Sequence, residues 1–277
     1  MNDITEWNFA NAEMTVYAHA PSLDGARTAA IGSFACADAM AGEVALKVAV
    51  VRLREAGFGA VLGPMNGTTW SSYRLVTQSE GRDPFFLEPA NPSHFVTAFE
   101  NAGFDVVGRY CSAVRDSAAP APDANRPPGI HLRSLRADAL EDELSRIFDV
   151  CLQAFARNAF YTPIPRAAFI EGYRALAVHI DPELVLLAED GTGALRGFLF
   201  ALPDPSNPAH TVILKTYASL VPGCGSALAN RFHRIAGRRG FSEVIHALMH
   251  EDNLSAEHST RTAGRIFRRY ALYGKSL

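Results

Sequence analysis

The stretch "KTYASLVPGCGSALANRFHRIAGRRGF", residues 215–241, sets a Pro-Gly-x-Gly turn between an apolar run and a helical pattern. The run before the turn reads as a strand, and Leu228, Phe232 and Ile235 recur at the spacing of one buried helix face. Gly240 falls where a helix C-cap is expected, because glycine enters the left-handed region cheaply. The turn therefore opens a helix, whose first N–H groups have no partner inside the helix. Such an end attracts phosphate. Without side chains at Gly223 and Gly225 a pyrophosphate could approach the backbone, and Pro222 would stiffen the entry. The same turn can also serve chain geometry alone. The third glycine of a dinucleotide fingerprint is missing, and the turn lies late in its domain rather than near the start.

The pattern occurs twice. Placing the segment from Thr28 over the segment from Thr211 gives an offset of 183, and the Gly-Phe pairs at Gly57 and Gly240 obey it without a gap. Each copy reads strand, helix, strand, with Leu46, Val50 and Leu53 forming the buried helix face of the first. Between the copies, "SAAPAPDANRPPG", residues 117–129, is Pro/Ala-rich and aperiodic, and reads as a linker. The expected domains are a partial one over 1–116, a linker over 117–128 and a fuller one over 129–277. The fuller half reads β, α, α, β, β, β, α, β, α, β, with an Asp-Gly-Thr-Gly hairpin turn at 190–193. This is an α+β layer, not a doubly wound sheet. The 27 residues before the first copy are too few for its usual opening elements.

Composition bounds the rest. The chain has 277 residues, is 48% hydrophobic and carries 26 basic against 29 acidic side chains, so it can fill a core and has no strong field for nucleic acid or membrane. The half from 129 onward is the more basic and would better tolerate an anionic ligand. With no basic-then-apolar leader and no apolar run of roughly 20 residues, a cytoplasmic protein is expected. Cys36, Cys111, Cys151 and Cys224 are widely spaced and read as free thiols, with no metal site.

On these residues the half from 129 to 277 resembles the GNAT acyltransferase superfamily. Its Gln/Arg-x-x-Gly-x-Gly/Ala signature is similar to "LVPGCGSAL", which supplies Gly223 and Gly225. A second pattern, Asn-x-x-Ala-x-x-x-Tyr-x-x-x-Gly-Phe, is met by Asn253, Ala256 and Gly264. The first half looks like a degenerate copy: Phe99, Gly103 and Phe104 match its ending and Gly42 matches Gly225, but Met40 stands at the position of Gly223. The resemblance implies two GNAT-like halves, each a mixed, mostly antiparallel sheet flanked by helices. It implies acetyl-CoA or another acyl-CoA as cofactor, bound by Tyr217, Ala218, Ser219, Val221, Gly223, Cys224, Gly225, Ser226, Ala227 and Asn253. The implied activity is direct acyl transfer to a small amine or amino-acid-like acceptor. Leu220 and Thr260 depart from the family pattern at the Gln/Arg and Tyr positions, so a binding protein that no longer turns over is the second reading.

Acyl transfer needs a base for the amine and a proton for the thiolate. Glu251 and His250 at the end of the fifth strand are candidate bases, and Tyr270 and Tyr273 in the terminal strand candidate acids, with Ser259 a weaker one. The plain alternatives are a polar strand end that caps the next helix and core tyrosines. The turn-rich "GPMNGTTWSSYRL", residues 63–75, with Trp70 and Tyr73, either lines an acceptor pocket or packs as a structural loop.

Overall fold

The computed structural model describes residues 3–120 and 126–277, so part of the expected linker lies outside the described residues. In order, the elements are β1 (Ile4–Asn8), β2 (Ala12–Tyr17), β3 (Thr28–Cys36), α1 (Ala39–Glu55), β4 (Ala60–Gly63), β5 (Leu75–Ser79), α2 (Ser93–Asn101) and β6 (Asp105–Asp116). They continue with β7 (His131–Ser134), α3 (Leu140–Ala154), α4 (Arg166–Arg174), β8 (Val185–Glu189), β9 (Leu195–Pro203), β10 (Thr211–Ser219), α5 (Cys224–Arg238), β11 (Glu243–His250), α6 (Leu254–Arg261) and β12 (Arg265–Ser276). The chain forms two compact units: Met1–Tyr110 with Asn158–Thr162 and Arg268–Leu277, and Cys111–Arg157 with Pro163–Phe267.

In unit 1 the strand order is β1-β2-β3-β4-β12, with β5 also on β12. β1, β2 and β3 pair antiparallel, and β3 pairs parallel with β4. The core joins the α1 face (Leu46, Ala49, Val50, Leu53) to the sheet (Ile31, Val61) and to Phe99 of α2. Unit 2 runs β7-β8-β9-β10-β11, antiparallel except for the parallel pair β10 and β11. Its core sets Leu228, Phe232 and Ile235 of α5 against Leu199, Val212, Leu214 and Val244. Burying such a side chain contributes roughly 1.5–3 kcal/mol, and this apolar face, not local propensity, holds α5 on the sheet.

The offset read from the sequence reappears in the pairing register. Thr28 faces Ala60 and Ala29 faces Val61 in unit 1, while Thr211 faces Glu243 and Val212 faces Val244 in unit 2. Both helices end alike: Gly57 and Gly240 each have φ near +79°, and Phe58 N–H donates to Leu53 O as Phe241 N–H does to Ala236 O. These are left-handed C-caps. The internal repeat is therefore structural.

Two readings need correction. The first 27 residues do form opening elements, since β1 and β2 make the hairpin that stands beside β3 as β8 and β9 stand beside β10. Among the described residues, unit 1 has no counterpart of the strand and two helices at the start of unit 2. Also, the last ten residues cluster with unit 1 rather than with 129–267. β12 pairs antiparallel with β4 through Tyr273 and Gly63 and with β5 through Tyr270 and Val76. A strand's partner is chosen by distant segments, so the terminal apolar run did not disclose it.

Candidate acyl-carrier cleft

In unit 2 the parallel ladder between β10 and β11 is only four pairs long, ending at Leu214 and His246. Beyond it β10 runs on to Ser219 and β11 to His250 without pairing to each other. Two irregularities accompany the parting. β10 shifts register against β9 between Leu214 and Thr216, and Leu248 of β11 takes φ +54° while its N–H donates to Ser112 Oγ at 2.9 Å. A bulge of this kind re-aims a strand. The result is a wedge with one edge of β10 open over Thr216–Ser219.

The glycine turn closes the end of β10. Leu220 N–H donates to Arg196 O at 2.7 Å, Ser219 Oγ–H to Val221 O at 3.3 Å, and Cys224 N–H to Val221 O at 3.1 Å. Gly223, at φ +80°, is the N-cap of α5 and no side chain caps the helix. Among the described residues the N–H groups of Gly225 and Ser226 reach no backbone carbonyl, as the geometry of a first helical turn requires. Gly225 lies over the Tyr217 ring, so that a Cβ there would stand 3.4 Å from Cε2 and 3.4 Å from Ser219 Oγ. Pro222 and Gly223 are exposed, and Ala218, Cys224 and Ala227 are buried beneath them. Burial pushes the Cys224 thiol up to about 11, which makes it filler rather than a nucleophile.

Unit 1 carries the same cleft in closed form. After Ala30 and Leu62 the edge of β3 is taken by the chain itself: Met65 N–H donates to Ile31 O, and Asn66 Oδ1 accepts from Ser33 N–H, both at 2.8 Å. Gly32 permits this approach, since a Cβ there would come within 2.6 Å of Met65 O. Gly32→Ala is therefore expected to lower unfolding stability by about 2–4 kcal/mol through backbone displacement, readable by urea denaturation. The helix start differs too. Asp38 caps α1, its Oδ1 accepting from Ala41 N–H at 2.8 Å, where the offset puts Val221 in unit 2. A carboxylate at that place repels a phosphate and satisfies one of the donors it would need.

Neither a family model nor a curated protein sequence matches the chain. Solved structures do match its fold. A GCN5-related N-acetyltransferase from Sphaerobacter thermophilus superposes with a TM-score of 0.56 at 16% identity, over 96% of this chain and 80% of that one. A probable N-acyltransferase from Enterococcus faecalis V583 gives 0.58 at 11%, over 96% of this chain and 59% of the other. A tandem GNAT protein from the clavulanic acid biosynthesis pathway gives 0.54 at 12%, over 96% and 79%. The chain has the tandem GNAT fold.

Within that GNAT fold the remaining sequence candidates divide. His250 and Glu251 are half-buried at the end of β11, the strand that forms the second edge of the wedge, and His250 Nδ1 accepts from Asp252 N–H at 3.2 Å. Asn253 is the N-cap of α6, but its exposed amide makes no capping bond. Tyr270 and Tyr273 are both buried, each about 1% exposed. Both belong to the core of unit 1, where Tyr270 O–H donates to Glu88 and Tyr273 O–H to Glu100 at 3.3 Å. Their strand is recruited by β4 and β5, and burial holds the Tyr273 phenol up at about 12. Thr260, at the family's tyrosine position, is exposed and donates back to Ala256 O at 3.1 Å. Ser259 is buried, with its Oγ 2.6 Å from His246 Nδ1. Sequence reading passed over Arg261, in the last turn of α6. Its guanidinium lies 3.4 Å from Glu257, and its charge partly offsets the burial that lifts the half-buried Tyr217 phenol to about 12. Only the fold brings that charge within range of Tyr217.

Proposed function

We propose that unit 2 binds an acyl-CoA in the wedge between β10 and β11 and transfers its acyl group directly to a small amine. The observation that carries this reading is the contrast between the two copies, one cleft open and uncapped, the other filled by Met65–Asn66 and capped by Asp38. The residues fit such a ligand. Gly225 and Ser226 N–H groups offer donors for a phosphate, and the unpaired edge at Thr216–Ser219 offers strand-like bonds to an amide-bearing arm. Asn253 adds an exposed amide, and Arg261 a positive charge near Tyr217.

Bound acyl-CoA supplies an activated acyl group as a thioester. Glu251 or His250 takes the proton from the acceptor's ammonium, leaving the amine lone pair free to attack the carbonyl carbon. As the C–N bond forms and the C–S bond breaks, solvent protonates the departing thiolate, because the terminal-strand tyrosines are engaged in unit 1. No covalent enzyme intermediate is needed. Titrating the protein with acetyl-CoA and a panel of small amines should give thiol release that requires the amine, shows no burst and falls at least about tenfold in the Glu251→Gln, His250→Gln double variant. Release that does not depend on the amine, or that the double variant leaves unchanged, would overturn the assignment.

A further inference from the structure

Unit 2 buries a guanidinium without a buried counter-charge among the described residues. Arg115 of β6 is 1% exposed, and its charge acts on three histidines of the same unit that are buried with it: His233 of α5 at 2%, His246 of β11 at 3% and His258 of α6 at 8%. Its Nε–H donates to Thr262 O, and one terminal nitrogen donates to Ala119 O and Pro120 O. These acceptors are neutral. The other terminal nitrogen, Nη1, is buried and has no partner among the described residues. The carboxylate that acts on Arg115 is that of Asp116, which is exposed and whose Oδ1 accepts from Ala118 N–H at 2.8 Å. At His258 a further positive charge, Arg261, adds to that of Arg115.

The rings supply more donors. His233 has no partner on either ring nitrogen, and Nε2 of His246 and of His258 has none among the described residues. His246 Nδ1 lies 2.6 Å from Ser259 Oγ, and when that hydroxyl donates, the proton of the ring sits on Nε2. Neutral imidazole therefore offers N–H groups here without taking up a proton. A buried cation without a counter-charge and buried N–H groups without acceptors both cost free energy. An anion small enough to be enclosed answers both demands at once. A cation is repelled by the guanidinium, and no three His, Cys, Asp or Glu side chains among the described residues are grouped to hold a metal ion.

We infer that a chloride-sized anion binds between Arg115 Nη1 and the ring of His233, with His246 and His258 as neighbouring donors. Held there, it ties β6 to α5 beside His246, the last residue of β11 in the parallel ladder. A divalent oxyanion is disfavoured, because one guanidinium balances one charge. The site uses none of the donors assigned to acyl-CoA, and it stands or falls independently of that cleft.

The test is thermal unfolding of the full chain at about pH 7.5 and constant ionic strength, with sodium gluconate replaced stepwise by sodium chloride. The expected result is a saturable rise in Tm of at least about 2 °C, reproduced by bromide, with a midpoint at least about tenfold weaker in His233→Leu. Arg115→Met should remove the response altogether. Leucine fills the place of the ring with apolar atoms, so His233→Leu decides the matter even where Arg115→Met fails to fold. No rise, which is the outcome if water meets these donors, would overturn the proposal. So would a rise that never saturates, or an unchanged midpoint in His233→Leu.

Discussion

Gly225→Val is expected to leave the chain folded and to weaken acetyl-CoA binding by at least about a hundredfold. The fold tolerates the first carbon, since a Cβ at 225 would make ordinary contacts of 3.4 Å with Ser219 Oγ and Tyr217 Cε2. The two γ-methyls are another matter. Valine's χ1 is stiff in a helix, so its branches cannot swing clear of the Gly225 and Ser226 N–H groups that point into the turn. Losing one or two bonds from those donors to a charged phosphate costs about 1.5–3 kcal/mol each, which is where the hundredfold comes from. Gly225→Ala should fall between the two. Calorimetric titration with circular dichroism as the fold control reads the effect, and parental affinity in folded Gly225→Val would mean that the turn serves only chain geometry.

The second large effect concerns acid. His233 of α5, His246 of β11 and His258 of α6 are buried near Arg115, with the rings of His233 and His246 5.1 Å apart. Arg115 is tied by its Nε–H to Thr262 O at 2.7 Å and by a second nitrogen to Ala119 O and Pro120 O. Among the described residues neither ring nitrogen of His233 has a partner, and the same holds for Nε2 of His246 and of His258. Burial, with Arg115 and the neighbouring rings adding repulsion, pushes His233 down to about 2 and His246 to about 3, and lowers His258, which also feels Arg261.

The sign follows from proton counting. These rings stay neutral in the fold but take protons in the unfolded chain below about 6.5, so stability is full above that value and falls as pH drops toward the folded values. Between pH 7.5 and 5 each ring would remove about 2 kcal/mol, and the two together about 4, a large share of a typical domain's stability. His233→Leu should therefore flatten the acid limb by about half. An unchanged pH slope in urea denaturation of that variant would show that the cluster is not the cause.

What the sequence disclosed and what it hid follow from the range of the interactions. The βαβ repeat was legible because its signals are local: a strand run, the 3.6-residue spacing of Leu228, Phe232 and Ile235, and a glycine just past each helix. Even the offset proved to be the register of the two parallel ladders. The Asp-Gly-Thr-Gly turn was legible for the same reason, and Asp190 binds its own turn through Thr192 and Ala194 N–H. The fate of β12 was hidden, because Tyr270 and Tyr273 read as apolar strand residues whichever partner they take. Closure of the first cleft was hidden as well. It depends on Asn66 reaching Ser33 across 33 positions, and only a glycine at 32 hints that another backbone passes there. At the cleft, the residues of the turn were readable from glycine and helix-start chemistry, whereas Arg261 and the short ladder needed the fold.

The most direct test of the central claim is the stoichiometry of acetyl-CoA binding to the intact chain by titration calorimetry. An open cleft in unit 2 and a self-filled one in unit 1 predict one molecule per chain. Two equivalents would show that Met65–Asn66 do not close the first cleft, and no binding would show that the open wedge between β10 and β11 is not an acyl-CoA site.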